Sequence, residues 1–240
     1  MNKKEIVNFI NKYHLNGLTE AVIIDTADNK TICNFVSSEK SVIGSIKLST
    51  NVFENQNLLG IYSTSSFIKL LSALEDDIEI SIFDIEDDAK YITLKDNNKK
   101  AKFILSHPDI IPKYPKDSKF PPFDIEIELD EEFINNFIKS KNALSDAAIF
   151  AFVEDNGKLQ IILNYDDNNE SLNNISFIVG DTIVELNKPI KFYSDSFKEI
   201  LIANRQDFDK GFIRLSSHGL MEIKFSSDDY EAIYYQVMVK

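Results

Sequence analysis

Three histidines and a single cysteine are the residues best suited to proton transfer, metal binding or nucleophilic attack. His14, His107 and His218 lie far apart, and none has a partner at the spacing that sets two imidazoles on one helix face. His14 falls near the end of a predicted helix, where a cation complements the dipole. Cys33 sits in a strand-like run beside Ile32 and Phe35 with no basic neighbour to activate it, which predicts a buried structural thiol. Acidic clusters occur at Asp166-Asp167-Asn168-Asn169-Glu170, Glu86-Asp87-Asp88 and Asp228-Asp229. None has the alternating ligand pattern of a calcium loop, and each falls where a strand pattern stops, so they read as solvated turns. Only 7 glycines are present, and no phosphate-cradling glycine loop exists among them. Nothing favours a carboxylate pair for glycoside hydrolysis. No catalytic residue, metal or cofactor is expected.

The elements that would position any site repeat. Phe9-Ile10-Asn11-Lys12 returns as Phe137-Ile138-Lys139-Ser140. The strand-turn-strand from Ala21 to Phe35 pivots on Asp28-Asn29-Lys30 and returns from Ala148 to Leu163, pivoting on Asp155-Asn156-Gly157-Lys158. Tyr62-Ser63 with Phe67, Leu70 and Leu71 returns as Tyr193-Ser194 with Phe197, Ile200 and Leu201. Within 240 residues, this duplication predicts two similar domains, 1–106 and 123–240. Between them, 107–122 holds five of the six prolines and reads as an extended connector.

Each copy alternates helical and strand periods. Helices are predicted over Lys3–His14, Thr64–Leu74, Asp130–Lys141 and Asp195–Asn204, each with an apolar stripe such as Ile6, Phe9, Ile10 and Tyr13. Ser63, Thr64 and Ser65 offer caps for the second, and Asn16-Gly17 closes the first. Seven or eight short strands accompany each helix pair, among them Asp77–Ile85 with alternating Ile78, Ile80 and Ile82. The fold class is therefore α+β, with two helices packed on antiparallel sheet in each domain. Phe, with 18 copies and no Trp, is expected to anchor both cores. One cysteine excludes an internal disulfide and fits a reducing compartment. The polar N-terminal stretch does not read as a signal peptide, and no apolar run reaches the roughly 18 residues that span a bilayer. A cytoplasmic protein without membrane partners is expected.

This order resembles the sliding clamps of DNA replication over essentially the whole chain. Its most specific part is Leu58-Leu59-Gly60-Ile61, then the Phe67/Leu70/Leu71 helix, the strand from Ile78 to Ile85, and the proline segment through Pro121-Pro122. Within that family it looks most like the two-domain clamp of tailed bacteriophages, a relative of proliferating cell nuclear antigen. The resemblance implies a non-catalytic, ring-forming homotrimer with curved sheets outside and helices lining a hole. Such a ring encircles duplex DNA without reading sequence, tethers a DNA polymerase as its processivity factor, and is opened by an ATP-dependent clamp loader. For a viral clamp the location is the host cytoplasm.

The net charge of −13 repels nucleic acid on average. The four helical stretches, however, are together slightly cationic, so the excess acid lies elsewhere. Lys3, Lys4, Asn8, Asn11, Lys12, Lys69, Asn135, Asn136, Lys139, Lys198 and Arg205 are the candidates to face DNA, through phosphate contacts weak enough to permit sliding. The resemblance also implies ring closure by edge strands, expected near Ala101–Leu105 and Ile175–Val179. It further implies a partner-peptide pocket near the connector, for which Ile110, Ile111, Tyr114, Tyr234, Val237 and Val239 are candidates. Two other readings compete: an acidic mimic of DNA that blocks a nucleic-acid enzyme, and an enzyme with its site between the copies.

Overall fold

The computed structural model describes residues 3–53, 58–85, 88–115, 119–169 and 171–239. Glu86, Asp87 and Glu170 of the acidic clusters lie outside the described residues, as do 116–118 of the connector. Two compact units divide the chain: Met1–Lys116 with Ser227–Ala232, and Asp117–Ser226 with Ile233–Lys240.

In the first unit, α1 (Lys3–His14) buries Ile6, Phe9, Ile10 and Tyr13, the stripe read from spacing. It stops where Leu15, Asn16 and Gly17 turn to positive φ, 47°, 55° and 100°, which a right-handed helix cannot continue through. The strands β1 (Val22–Asp25), β2 (Thr31–Val36), β3 (Val42–Leu48) and β4 (Leu58–Ile61) form one antiparallel sheet in the order β4-β1-β2-β3. Residues 227–232 add to this unit, and the Ser49 N–H donates to the Asp229 carbonyl at 2.9 Å. Next comes α2 (Thr64–Ser72), capped by the Ser63 hydroxyl, which accepts from the Ser66 N–H at 3.4 Å. Finally β5 (Glu79–Ile85), β6 (Asp88–Lys95) and β7 (Lys100–Ile104) make a three-stranded sheet in sequence order. Its inner row Ile92, Leu94 and Phe103 is buried, with Phe103 packed on Phe67 of α2 at 4.8 Å between ring centroids.

Gly60 sits where two backbone segments cross. A methyl group there would lie 2.0 Å from the Ser106 carbonyl oxygen, and Ser106 donates its N–H to the Gly60 carbonyl at 2.8 Å. Only a residue without Cβ lets the chain leaving β7 lie against β4. The connector is not wholly extended as expected. Pro108–Ile110 form one 3-10 turn, with proline at its start, where a missing N–H costs nothing.

The second unit repeats the plan. Its first elements are β8 (Ile125–Glu128) and α3 (Glu131–Ala143), whose Asp130 cap accepts from the Phe133 N–H at 2.7 Å. There follow β9 (Ile149–Asp155), β10 (Lys158–Leu163), β11 (Ile175–Asp181), β12 (Ile190–Tyr193) and α4 (Ser194–Asn204). Last come β13 (Lys210–Ser216), β14 (Leu220–Ser226) and β15 (Tyr230–Val237), a strand that starts in the first unit's residues and ends in the second's. One sheet runs β11-β10-β9-β12, and β14-β13-β8 are neighbours in another. The β9–β10 turn places Asn156 and Gly157 at φ 53° and 76°, the two left-handed residues that a tight hairpin requires. Phe137, Phe150, Phe152, Phe192 and Phe197 are all fully buried around α3 and α4. Phe137 alone meets Phe197 and Phe150 at 4.6 and 5.1 Å, so phenylalanine does anchor this core.

Candidate nucleic-acid interface

The helix residues expected to meet DNA fall into three groups. Lys4, Asn8 and Asn11 are exposed at i, i+4 and i+7 of α1, one stripe along the helix. Asn135, Asn136 and Lys139 are exposed on α3, Lys69 on α2, and Arg205 at the end of α4. Lys3 and Lys198 are half-buried. The Lys3 ammonium donates to the Leu74 carbonyl and pairs with Asp76 at 3.5 Å, so it ties α1 to the end of α2.

Lys12 departs from the expectation. It is 3% exposed, and its ammonium lies 4.2 Å from the Tyr230 ring centroid, a cation–π contact within the first unit. It therefore does not belong to an exposed stripe. Lys141 shows the same behaviour in the second unit. It is buried between α3 and α4, paired with Asp195 at 2.8 Å, and donates to the Ser145 carbonyl. Sequence offered one signal for Lys141: it extends the stripe Phe133, Ile134, Phe137, Ile138 by one further turn.

The structure does gather one set of chemically capable side chains that sequence reading missed. His14 Nε2 lies 3.2 Å from Glu20 Oε1 and 3.2 Å from Ser65 Oγ, at the junction of α1 and α2. The residue types are those of a hydrolytic triad, but the connectivity is not. Glu20 and Ser65 share one imidazole nitrogen, so the carboxylate does not orient the ring through the other. Ser65 donates both its hydroxyl and its N–H to Glu20. The cluster fastens the start of α2, aided by the Thr64 hydroxyl on the Glu20 carbonyl at 2.8 Å. Burial alone would raise the Glu20 pKa, but the Ser65 hydroxyl and N–H, together with His14, outweigh it, and the net shift is downward. A carboxylate depressed in the folded state stabilises above its unfolded pKa and loses that contribution as pH falls through the folded one. Glu20→Gln is therefore expected to flatten part of the acid-side loss of thermal stability, from about pH 5 downward. Melting curves across that range check it.

Cys33 is fully buried, and burial pushes its thiol well up, as a structural cysteine requires. Asp166 accepts from the Asn168 N–H in a turn, and Asp167 pairs with Lys191 at 2.5 Å. Among the described residues, no three His, Cys, Asp or Glu side chains converge to hold a metal ion. Among the same residues, no helix is long and apolar enough to cross a membrane.

The six pocket candidates divide between the two units. Ile110 is exposed, Tyr114 is half-buried with its hydroxyl pKa raised by burial, and Ile111 is buried at the Gly60 crossing. Val237 is exposed, and the Val239 N–H donates to the Lys191 carbonyl at 2.8 Å. Tyr234 must be removed from the set. It is fully buried, and its hydroxyl accepts from Asn204 Nδ2 at 2.9 Å inside the second core. The predicted edge strands are β7 and β11, and both lie at the edge of their sheets.

The paired-helix, paired-sheet plan has counterparts among solved structures. Proliferating cell nuclear antigen from Archaeoglobus fulgidus, solved with the C-terminal region of FEN-1, superposes with a TM-score of 0.73 at 14% identity, covering 100% of this chain and 97% of that one. The fold is that of the DNA sliding clamps. The Entamoeba histolytica antigen gives 0.71 at 16% identity, with 100% of this chain and 96% of that one covered. A chain of the PCNA2–PCNA3 complex from Sulfolobus tokodaii gives 0.71 at 11% identity, with 99% and 97% covered. No model of a known protein family matches the sequence, and no curated protein does. The clamp fold is thus visible in backbone geometry where residue identity has largely gone.

Proposed function

We propose that this clamp-fold chain is a non-catalytic processivity factor, a homotrimeric ring that encircles duplex DNA and tethers a DNA polymerase. Its quasi-equivalent domains would be 1–106 and 123–240, joined by 107–122. Full-length likeness to clamp structures carries this reading. The exposed Lys4, Asn8, Asn11, Lys69, Asn135, Asn136, Lys139 and Arg205, with half-buried Lys198, support it. Such residues meet phosphate oxygens without base readout, and their sparseness leaves topology rather than affinity to retain the ring. An ATP-dependent clamp loader would open it, in host cytoplasm for a viral clamp, and a partner peptide would draw on Ile110 and Tyr114 of the first unit.

The test is retention on circular against linear DNA after loading. A topological ring survives a wash in high salt on a nicked circle and is lost once the circle is cut. Equal loss from both substrates overturns the reading. Light scattering should give about three times the 27.4 kDa chain mass. The net charge of −13 favours one rival, an acidic mimic of DNA. That rival predicts inhibition of a DNA-binding enzyme with no loader present.

A further inference from the structure

The two units differ at one sheet edge. In the second, β13 is the first strand after α4 and lies between β14 and β8. There β8 covers it residue by residue: Ile127 stands opposite Ile213 and Ile125 opposite Leu215, and both β13 side chains are fully buried. In the first unit, β5 is the first strand after α2. It pairs with β6, but among the described residues no strand precedes α1 and none flanks the outer side of β5. The chain entering α1 reaches only the approach to β5, where the Lys3 N–H donates to the Asp76 carbonyl at 2.8 Å. Ile80 and Ile82, the inward row of β5, are left half-buried.

The second unit also shows what charge such a covering strand carries. Across β8, β13 and β14, the outward row reads Glu126, Arg214, Glu222, with the Arg214 Nε 3.8 Å from Glu126 and 3.1 Å from Glu222. Charge alternates from strand to strand. β5 and β6 hold two members of a similar row, since Glu79 stands opposite Lys95 and pairs with it at 3.2 Å. A cation beyond Glu79 would continue the alternation. Phe83 is exposed on the same outward face, stacked on Tyr91 at 4.7 Å between centroids. A register shift between Phe83 and Asp84 ends the regular ladder. The open stretch is therefore Glu79 to Phe83, about 17 Å of extended chain.

We propose that the outer edge of β5 takes up, as an added strand, an extended segment of a partner protein in which apolar residues alternate with lysine or arginine. The apolar row of that segment covers Ile80 and Ile82, as Ile125 and Ile127 of β8 cover β13, and one of its cations meets Glu79. A second copy of the same edge is the poorer occupant. Pairing β5 with β5 puts Glu79 and Asp84 on both strands of the seam and supplies no cation to either. In its sheet, β5 lies on the far side of β6 from β7, the edge expected to close a ring. The docking thus goes beyond the clamp reading and uses a different surface.

The test is amide hydrogen exchange of the full chain, read by mass spectrometry on fragments that span Glu79–Phe83. The probe is a short synthetic peptide of alternating isoleucine and lysine. A scrambled peptide of the same composition keeps the charge but loses the period that sets apolar residues on one face, so it separates strand addition from plain attraction to an acidic protein. The alternating peptide is expected to slow exchange in β5 severalfold, and the scrambled one to leave it unchanged. Glu79→Lys with Lys95→Glu keeps the cross-strand pair and reverses the charge at the edge. It should weaken the lysine peptide by about threefold to tenfold and favour an isoleucine–glutamate peptide instead. Circular dichroism verifies its fold, and the wild-type comparison stands without it. Equal protection by both peptides, or protection that spares β5, overturns the proposal. So does β5 protection that rises with protein concentration before any peptide is added, because a second copy is then the occupant.

Discussion

Replacing Phe137 by Ala is expected to cost about 3–5 kcal/mol. The side chain is fully buried on α3 and packs edge-on against Phe197 of α4 and Phe150 of β9, so its loss opens a void where helix, helix and sheet meet. Neighbouring rings Phe192 and Phe152 are already engaged with Phe150 and leave little freedom to collapse inward. Urea unfolding followed at probes in each unit should show the second unit losing structure first. Wild-type urea resistance in this variant would mean that the aromatic cluster is not what holds α3 down. Phe83→Ala is the contrasting substitution. Its ring is 45% exposed, so the same chemical deletion should cost far less.

Substituting Lys4, Lys69, Lys139, Lys198 and Arg205 together by Ala is expected to shorten retention on circular DNA by about tenfold or more, because every cation removed from the phosphates weakens binding and lowers its salt dependence. Four of these residues are exposed and Lys198 is half-buried, so thermal stability should change little. Lys12→Ala serves as the control. Its ammonium sits on Tyr230 rather than on the exposed stripe, so it should lower stability and leave DNA retention unchanged. Unaltered retention in the five-site variant would take the helices out of the DNA interface. Weakened retention in Lys12→Ala with undiminished stability would restore that lysine to it.

Much of this fold was legible in the chain because local signals agreed with the tertiary answer. The stripe Ile6, Phe9, Ile10, Tyr13 is the buried face of α1, Ser63 caps the helix that follows it, and the Asn156-Gly157 turn sits where the hairpin reverses. Lys12 and Tyr234 depart from expectation for one cause, which Lys141 shares. All three are amphipathic, and whether their polar ends reach water depends on residues distant in sequence: Tyr230, Asn204 and Asp195 respectively. The His14–Glu20–Ser65 cluster was hidden for the same reason, since its members come from a helix end, a loop and the start of another helix. The candidate interface was legible as a set of exposed polar positions, but periodicity could not separate the lysines that fasten helices together from those left at the surface.

The first unit cannot be completed in the order in which it is synthesised. Residues 227–232 belong to it, and Asp229 accepts from both the N–H and the hydroxyl of Ser49, while Tyr230 carries the Lys12 ammonium. A ribosome must therefore make nearly all of the second unit before the first receives its final pieces. Until then the β3 border and the Lys12 charge lack those partners, so the nascent N-terminal half waits in an unfinished state. The first unit, although made before the second, is completed only after it.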